Sequence, residues 1–162
     1  MSKNKEEQYK HQLNQVVESH KKVFVRKPIF LHRVLDKGTN TVQIYCTDEQ
    51  IYLKSEFGDN INPYIEFMEK WKDDTLFEYS YRFVIPFFNF AYALDGSSSP
   101  TRLNNFQFRY EVHPEKNYNK PHLHFFDSGW SPHYPTHEIK FPEFFEIIKR
   151  EFIDSDMIKF SY

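Results

Sequence analysis

Between Phe106 and His137 the chain reads FQFRYEVHPEKNYNKPHLHFFDSGWSPHYPTH and gathers five of its eight histidines. Imidazole exchanges protons near neutral pH, and its neutral form is a common ligand of transition metals, so chemistry is expected in this stretch. Its first part alternates as a strand does, with Phe106, Phe108, Tyr110 and Val112 on one side and Gln107, Arg109, Glu111 and His113 on the other. After the polar turn HPEKNYNK the chain re-enters as PHLHFF, where a period of two sets His122 and His124 side by side and sends Leu123 and Phe125 the opposite way. If the two segments pair as an antiparallel hairpin, the row Arg109, Glu111, His113 shares a face with His122 and His124.

That face suits two chemistries. In the first, a histidine pair runs phosphodiester cleavage without a metal or any other cofactor. A neutral imidazole takes the proton of a ribose 2′-hydroxyl, an imidazolium protonates the leaving oxygen, and a cation steadies the charge on phosphorus. His122 and His124, or one of them with His113, are the expected acid/base groups. Arg109 is the expected cation, Glu111 belongs to the same row, and Lys116 and Lys120 in the turn are placed to meet flanking phosphates. In the second, the alternating histidines supply two metal ligands and Glu111, His113, His133 or His137 completes the shell. Set against both is a plainer assignment: surface or hydrogen-bonded histidines, with Arg109 and Glu111 as a cross-strand ion pair. Two histidines at alternate positions of one strand face are hard to account for by packing alone, whereas His11, His20 and His32 read as surface residues.

The elements that must carry this hairpin follow from hydrophobic period. Lys5 to His20 reads as an amphipathic helix with Tyr9, Leu13, Val16 and Val17 along one stripe. Strands are expected around 23–35, with Pro28 marking an edge or a break, and at 41–46 and 50–57, the last two as a hairpin through Thr47, Asp48 and Glu49. Asn62 and Pro63 read as the cap and first position of a middle helix, and Ile61, Tyr64, Ile65, Met68 and Trp71 keep helical spacing to about Lys72. Strands resume at Leu76 through FEYSYRFVIPF and FFNFAYALD, with Pro86 as a kink or bulge, and the loop DGSSSPT leads to the histidine hairpin and is placed to border it. Phe141, Phe144, Phe145, Ile148 and Phe152 then keep helical spacing, and MIKFSY is fit for a short final strand. The expected architecture is α+β: a mainly antiparallel sheet with N-terminal, middle and C-terminal helices packed on it, in one domain over residues 1–162.

Composition narrows the function classes. Four glycines among 162 residues leave no glycine-rich phosphate loop, and aromatic residues at 19% favour strands. The single Cys46 excludes an internal disulfide, the first ten residues lack a signal-type apolar run, and the longest apolar run, 83–94, is too short to span a bilayer. A cytoplasmic protein that does not enter membranes is expected. The net charge of −2 hides an asymmetry, because residues 1–37 carry nine Lys/Arg against four Asp/Glu, which an anionic partner or plain solvation of a helix would use.

One further reading comes from likeness. Phe108-Arg109-Tyr110-Glu111, His113-Pro114 and Pro121-His122-Leu123-His124, closed by the aromatic helix at 141–152, resemble the TumE-like toxins of bacterial toxin-antitoxin pairs and neighbouring prokaryotic families with Arg-Tyr-Asp and Pro-His-x-His motifs. The likeness covers roughly 104–152, with Glu111 where Asp is usual. It implies a small cytoplasmic ribonuclease toxin held by a cognate antitoxin, or a phage-defence protein, with Arg109, Glu111, His113, His122 and His124 as its site. The contrasting class is a non-enzymatic module whose histidine face and basic N-terminal segment bind a partner protein or nucleic acid.

Overall fold

The computed structural model describes residues 3–54, 62–86, 88–90, 101–103, 106–114, 118–125 and 133–155. The expected bordering loop at 95–100, the turn lysine Lys116 and the final segment MIKFSY lie outside them. In chain order the elements are α1 (Lys3–Ser19), β1 (Phe30–Asp36), β2 (Thr41–Cys46), β3 (Ile51–Tyr52), β4 (Tyr64–Lys72), β5 (Thr75–Ile85), β6 (Phe88–Phe90), β7 (Thr101–Leu103), β8 (Phe106–His113), β9 (Tyr118–Phe125), β10 (Tyr134–Pro135) and α2 (Phe141–Ile148). The last turn after α2, Lys149–Ile153, widens into π-helical form. The fold is α+β: an eight-stranded antiparallel sheet ordered β1-β2-β4-β5-β8-β9-β10, with β3 also paired to β4, and a separate β6-β7 pair.

Both helices lie on one face of this sheet. α1 buries Tyr9, Leu13 and Val17, the stripe its period predicts. α2 begins at Phe141 and Pro142, with the Glu143 carboxylate accepting the Lys140 backbone N–H at 3.0 Å. It buries Phe141, Phe144, Phe145 and Ile148, so aromatic rings from helix and sheet interlock: Phe141 with Phe67 at 5.1 Å, Phe144 with Tyr81 at 5.4 Å and Phe145 with Phe24 at 5.3 Å between centroids.

The middle helix expected from Asn62 is instead strand β4. Its burial alternates strictly, with Ile65, Phe67, Glu69 and Trp71 turned to the core. Glu69 is fully buried and held by three donors: the Tyr9 and Tyr81 hydroxyls, each at 2.5 Å from Oε1, and Trp71 Nε1 at 2.8 Å from Oε2. Burial raises the carboxyl above its ordinary pKa, although the three hydrogen bonds pull the other way.

The expected hairpin between 41–46 and 50–57 is also replaced. β2 and β3 follow one another along the same edge of β4, Tyr45 opposite Met68 and Ile51 opposite Ile65, with 47–50 looping out between them. β1 is an edge strand that starts two residues after Pro28, as the proline's missing donor favours. Six of its seven residues are exposed, Leu31, Val34 and Leu35 among them, and its pairing shifts register between Val34 and Asp36.

β4 and β5 are joined by Asp73 and Asp74, both with positive φ (45° and 68°), between the paired ends Lys72 and Thr75. A two-residue turn of this hand matches the strand twist and pins the register of the two central strands. From them the register passes outward through Arg82 opposite Arg109 to Arg109 opposite His124.

Candidate functional site

On the sheet face away from the helices, side chains line up in files across the strands. One file runs Glu66, Arg82, Arg109, His124 and the next Met68, Ser80, Glu111, His122, each residue directly opposite the one before. The expected hairpin therefore exists as β8 and β9, and it brings Arg109, Glu111, His122 and His124 onto one face. His113 joins them across a bulge between Glu111 and His113. Lys120 is exposed on β9 and contributes its backbone carbonyl to the site.

Glu111 is the hub. Its Oε1 lies 2.8 Å from His124 Nε2 and 3.3 Å from His122 Nε2, while Oε2 lies 3.0 Å from His113 Nε2 and 3.1 Å from Arg109 Nε. All of this is shielded: Glu111, His122 and His124 are 5%, 5% and 7% exposed. Burial works against the charged form of Glu111, but Arg109 foremost, then His113, His124 and His122, outweigh it and hold the carboxyl below its usual pKa. Burial lowers the His124 pKa, and the Glu111 charge does not fully offset it. The two directions combine in one way: at neutral pH Glu111 is ionised with Arg109 as its permanent counter-ion, and His124 is neutral.

His122 has a fixed tautomer. Its Nδ1 is 2.8 Å from the Lys120 carbonyl oxygen, which can only accept, so Nδ1 carries a hydrogen. In a neutral ring Nε2 is then the lone-pair nitrogen, and it lies 3.3 Å from another acceptor, Glu111 Oε1. That arrangement calls for positive charge between them, either a proton or a cation. His124 poses the same question, since its Nε2 is 2.8 Å from Glu111 Oε1 yet is buried with no hydrogen-bond partner, the contact being short but misdirected.

A third imidazole closes the group. His133, exposed immediately before β10, stacks on His122 at 4.9 Å and meets His124 edge-on at 4.1 Å between ring centroids. One ring nitrogen from each of His122, His124 and His133 lies within 4.8 Å of the others, a set fit for a metal ion. Zinc with bonds of about 2.1 Å holds tetrahedral ligands roughly 3.4 Å apart, so seating an ion needs the rings to close by on the order of an ångström. His137 is exposed and, among the described residues, not part of this group.

Sequence reasoning named His133 only as one of several alternative ligands, and it left out Glu78 and Arg82. His113 Nδ1 is 3.5 Å from Glu78, which is itself bridged to Lys70 at 2.8 Å, so His113 stands between two carboxylates. Arg82 donates from Nε to Gln107 Oε1 at 2.8 Å and lies 3.2 Å from Glu66. Their positions, one strand over, become readable only once the β5–β8 register is known. A groove of ≈ 530 Å³ between Val25 and Tyr52 contains none of these residues, so concavity by itself does not mark the site. Among the described residues no helix is long and apolar enough to cross a membrane. Comparison with protein-family models, with curated proteins and with solved structures returned no match.

Proposed function

We propose that the protein is a metal-dependent phosphodiester hydrolase whose ion sits among His122, His124 and His133, with Glu111 as fourth donor. The observation that carries this reading is that one ring nitrogen from each of His122, His124 and His133 lies within 4.8 Å of the others, with the Glu111 carboxylate against His122 and His124. Three imidazoles and a carboxylate are the donor set of zinc and its neighbours. Such an ion supplies a Lewis acid and acidifies water. The chain does the rest: Lys120 O orients His122, Arg109 and His113 brace Glu111, and Arg109 adds positive charge where an anionic ester would approach.

RNA as substrate, a cytoplasmic setting and a cognate antitoxin or defence-system partner rest on the likeness of the Arg-Tyr-Glu and Pro-His-x-His segments to TumE-like toxins. A second reading, metal-free cleavage by a histidine acid/base pair, is favoured by a specific observation. His122 and His124 stand 4.8 Å apart between ring centroids, both against the Glu111 carboxylate, so two imidazoles are adjacent as an acid/base pair requires.

The test is metal content of the purified protein together with cleavage of single-stranded RNA. About one zinc- or manganese-class ion per chain, activity stopped by EDTA and restored by that ion, and a loss of about 100-fold or more in His122→Ala and His124→Ala support the metal centre. Cleavage indifferent to EDTA moves the reading to the acid/base pair. Protein with neither ion nor cleavage that loses a bound partner when these histidines are replaced is an interaction module.

A further inference from the structure

The sheet face that carries the histidine group also carries a cavity of ≈ 450 Å³ over β1, β2, β4 and β5, with Arg33, Gln43, Tyr45, Glu66, Met68 and Ser80 in its lining. Tyr45 lies opposite Met68, Met68 opposite Ser80 and Ser80 opposite Glu111. The cavity therefore belongs to the same file as the histidine group and stops one strand short of it. With neighbouring strands about 4.8 Å apart, Tyr45 is about 14 Å from Glu111 along that file. Ser80 is the smallest residue of the file, so no bulky side chain of the file stands between Met68 and Glu111. Two features narrow what the cavity can hold. The Arg33 guanidinium lies 5.7 Å from the centroid of the Tyr45 ring and its Nε donates to Gln43 Oε1 at 2.9 Å, so a cationic plane and an aromatic ring are held together as a platform for a flat ring. The lining is also acidic, because Asp48, Glu49 and Glu66 outnumber Arg33. Such a lining repels a phosphate and accepts N–H groups. A second cation fits less well than a neutral ring, since Arg33 already takes the cation's place over Tyr45.

We infer that this cavity is a base-binding subsite and that its ligand is guanine. Among the nucleic-acid bases guanine alone offers N–H donors on two adjacent atoms, N1 and N2, which one carboxylate accepts in bidentate form. Glu66 is that acceptor. It lies two residues along β4 from Met68, diagonal to Tyr45, and Arg82 at 3.2 Å from its Oε2 orients the carboxylate while lone pairs remain on both oxygens. The base lies flat on Tyr45 and Arg33 with its donor edge turned to Glu66, and its sugar and phosphates leave the acidic pocket along the Ser80 file toward the histidine group. The inference rests on the proposed function for its substrate class, single-stranded RNA attacked at the histidines with a guanine a few nucleotides away. Guanine recognition itself stands on the cavity.

The experiment uses the full chain treated with EDTA, with guanosine, adenosine, cytidine and uridine as separate probes in ligand-observed NMR titrations. Wild type should bind guanosine about tenfold tighter than the other three. Tyr45→Ala should weaken guanosine and adenosine together by about tenfold or more, and Tyr45→Phe, which keeps the ring, should retain both. Glu66→Gln should bring guanosine down to the adenosine level and leave adenosine where it was. Tyr134→Ala, which removes an exposed ring at the opposite edge of the sheet, should change nothing. A merely structural role for Tyr45 or Glu66 predicts a uniform loss with a lowered Tm, not a lost preference. No guanosine binding at millimolar concentration, no preference among the bases, or a preference that survives Glu66→Gln overturns the inference. So does tighter binding of acetyl-arginine amide than of guanosine, the mark of a pocket for a basic peptide. Zinc content and RNA cleavage, read on separate samples, report on the hydrolase reading. Guanosine preference without either rejects that reading alone, and an active enzyme without guanosine preference rejects the base subsite alone.

Discussion

The metal centre makes a quantitative prediction about stability. Replacing His133, His124 or, as a control, His32 by Ala separates ligands from bystanders, because His32 is on β1 and paired with Glu6 at 2.8 Å. The ring nitrogens of the trio already lie within 4.8 Å of one another, so closing to about 3.4 Å around zinc is a matter of side-chain torsion. An ion that binds only the folded chain stabilises it by about 2.7 kcal/mol at 100 times its dissociation constant. For a chain of this size about 1 kcal/mol moves the midpoint by roughly 2–4 °C. Zinc added to EDTA-stripped wild type should therefore raise Tm by roughly 5–11 °C in a calorimetric scan, with far-UV circular dichroism unchanged. His124→Ala and His133→Ala should lose most of that rise, and His32→Ala should keep it. An unmoved midpoint in wild type, or a full rise surviving in His133→Ala, refutes the three-histidine centre.

Two further predictions concern the scaffold. Phe145→Ala empties a fully buried site against Phe24 and His20 and should cost about 3–5 kcal/mol in urea unfolding; a change under about 1 kcal/mol would show that the helix does not anchor the sheet as described. Glu69 sets a pH dependence: its folded pKa is raised above the unfolded value of about 4.3, so the folded chain binds the extra proton in that window. The protonated carboxyl's contribution is thus complete below about pH 4 and is lost as pH rises through the folded value. Glu69→Gln should gain on wild type across the same window, by at most about 1.4 kcal/mol per pH unit, while Glu111, shifted the other way, cancels in the comparison. Parallel stability profiles for the two proteins would contradict the assignment.

What the sequence could and could not disclose follows from where the determining contacts come from. The histidine hairpin was legible in part because both of its strands alternate: period alone puts Arg109 with Glu111 and His122 with His124, whereas their sharing one face depended on the β8–β9 register, which period does not give. β4 was misread because both of its faces carry large apolar residues: Tyr64 and Met68 on the open side, Ile65, Phe67 and Trp71 on the core side. Position 69, which should have been apolar for the alternation to show, is a glutamate whose partners Tyr9 and Tyr81 come from a helix and a neighbouring strand. The helical spacing was real but incidental, and burial on a pleated surface overrode it. The β2–β3 hairpin failed for a related reason, since both segments found the same neighbour in β4. His133 was open to assignment only as one alternative among several, because it reaches the other two histidines from a separate strand and no period links it to them.

The two edges of the large sheet are protected to different degrees, and this bears on how the protein behaves at high concentration. On one side β10 is only two residues long and contains Pro135, so it offers little for another chain to pair with. On the other, β1 exposes Leu31, Val34 and Leu35 over seven residues. Its safeguards are Arg33, Pro28 just ahead of it, and the register shift after Val34 that bends the strand's end. If intermolecular strand addition begins anywhere on this sheet it begins there, and aggregation during purification is the foreseeable symptom. Leu35→Lys, which places a charge on the edge strand farthest along the sheet from the histidine hairpin, should suppress aggregation measured by light scattering while leaving Tm within about 2 °C of wild type. Unchanged scattering would shift suspicion to another surface.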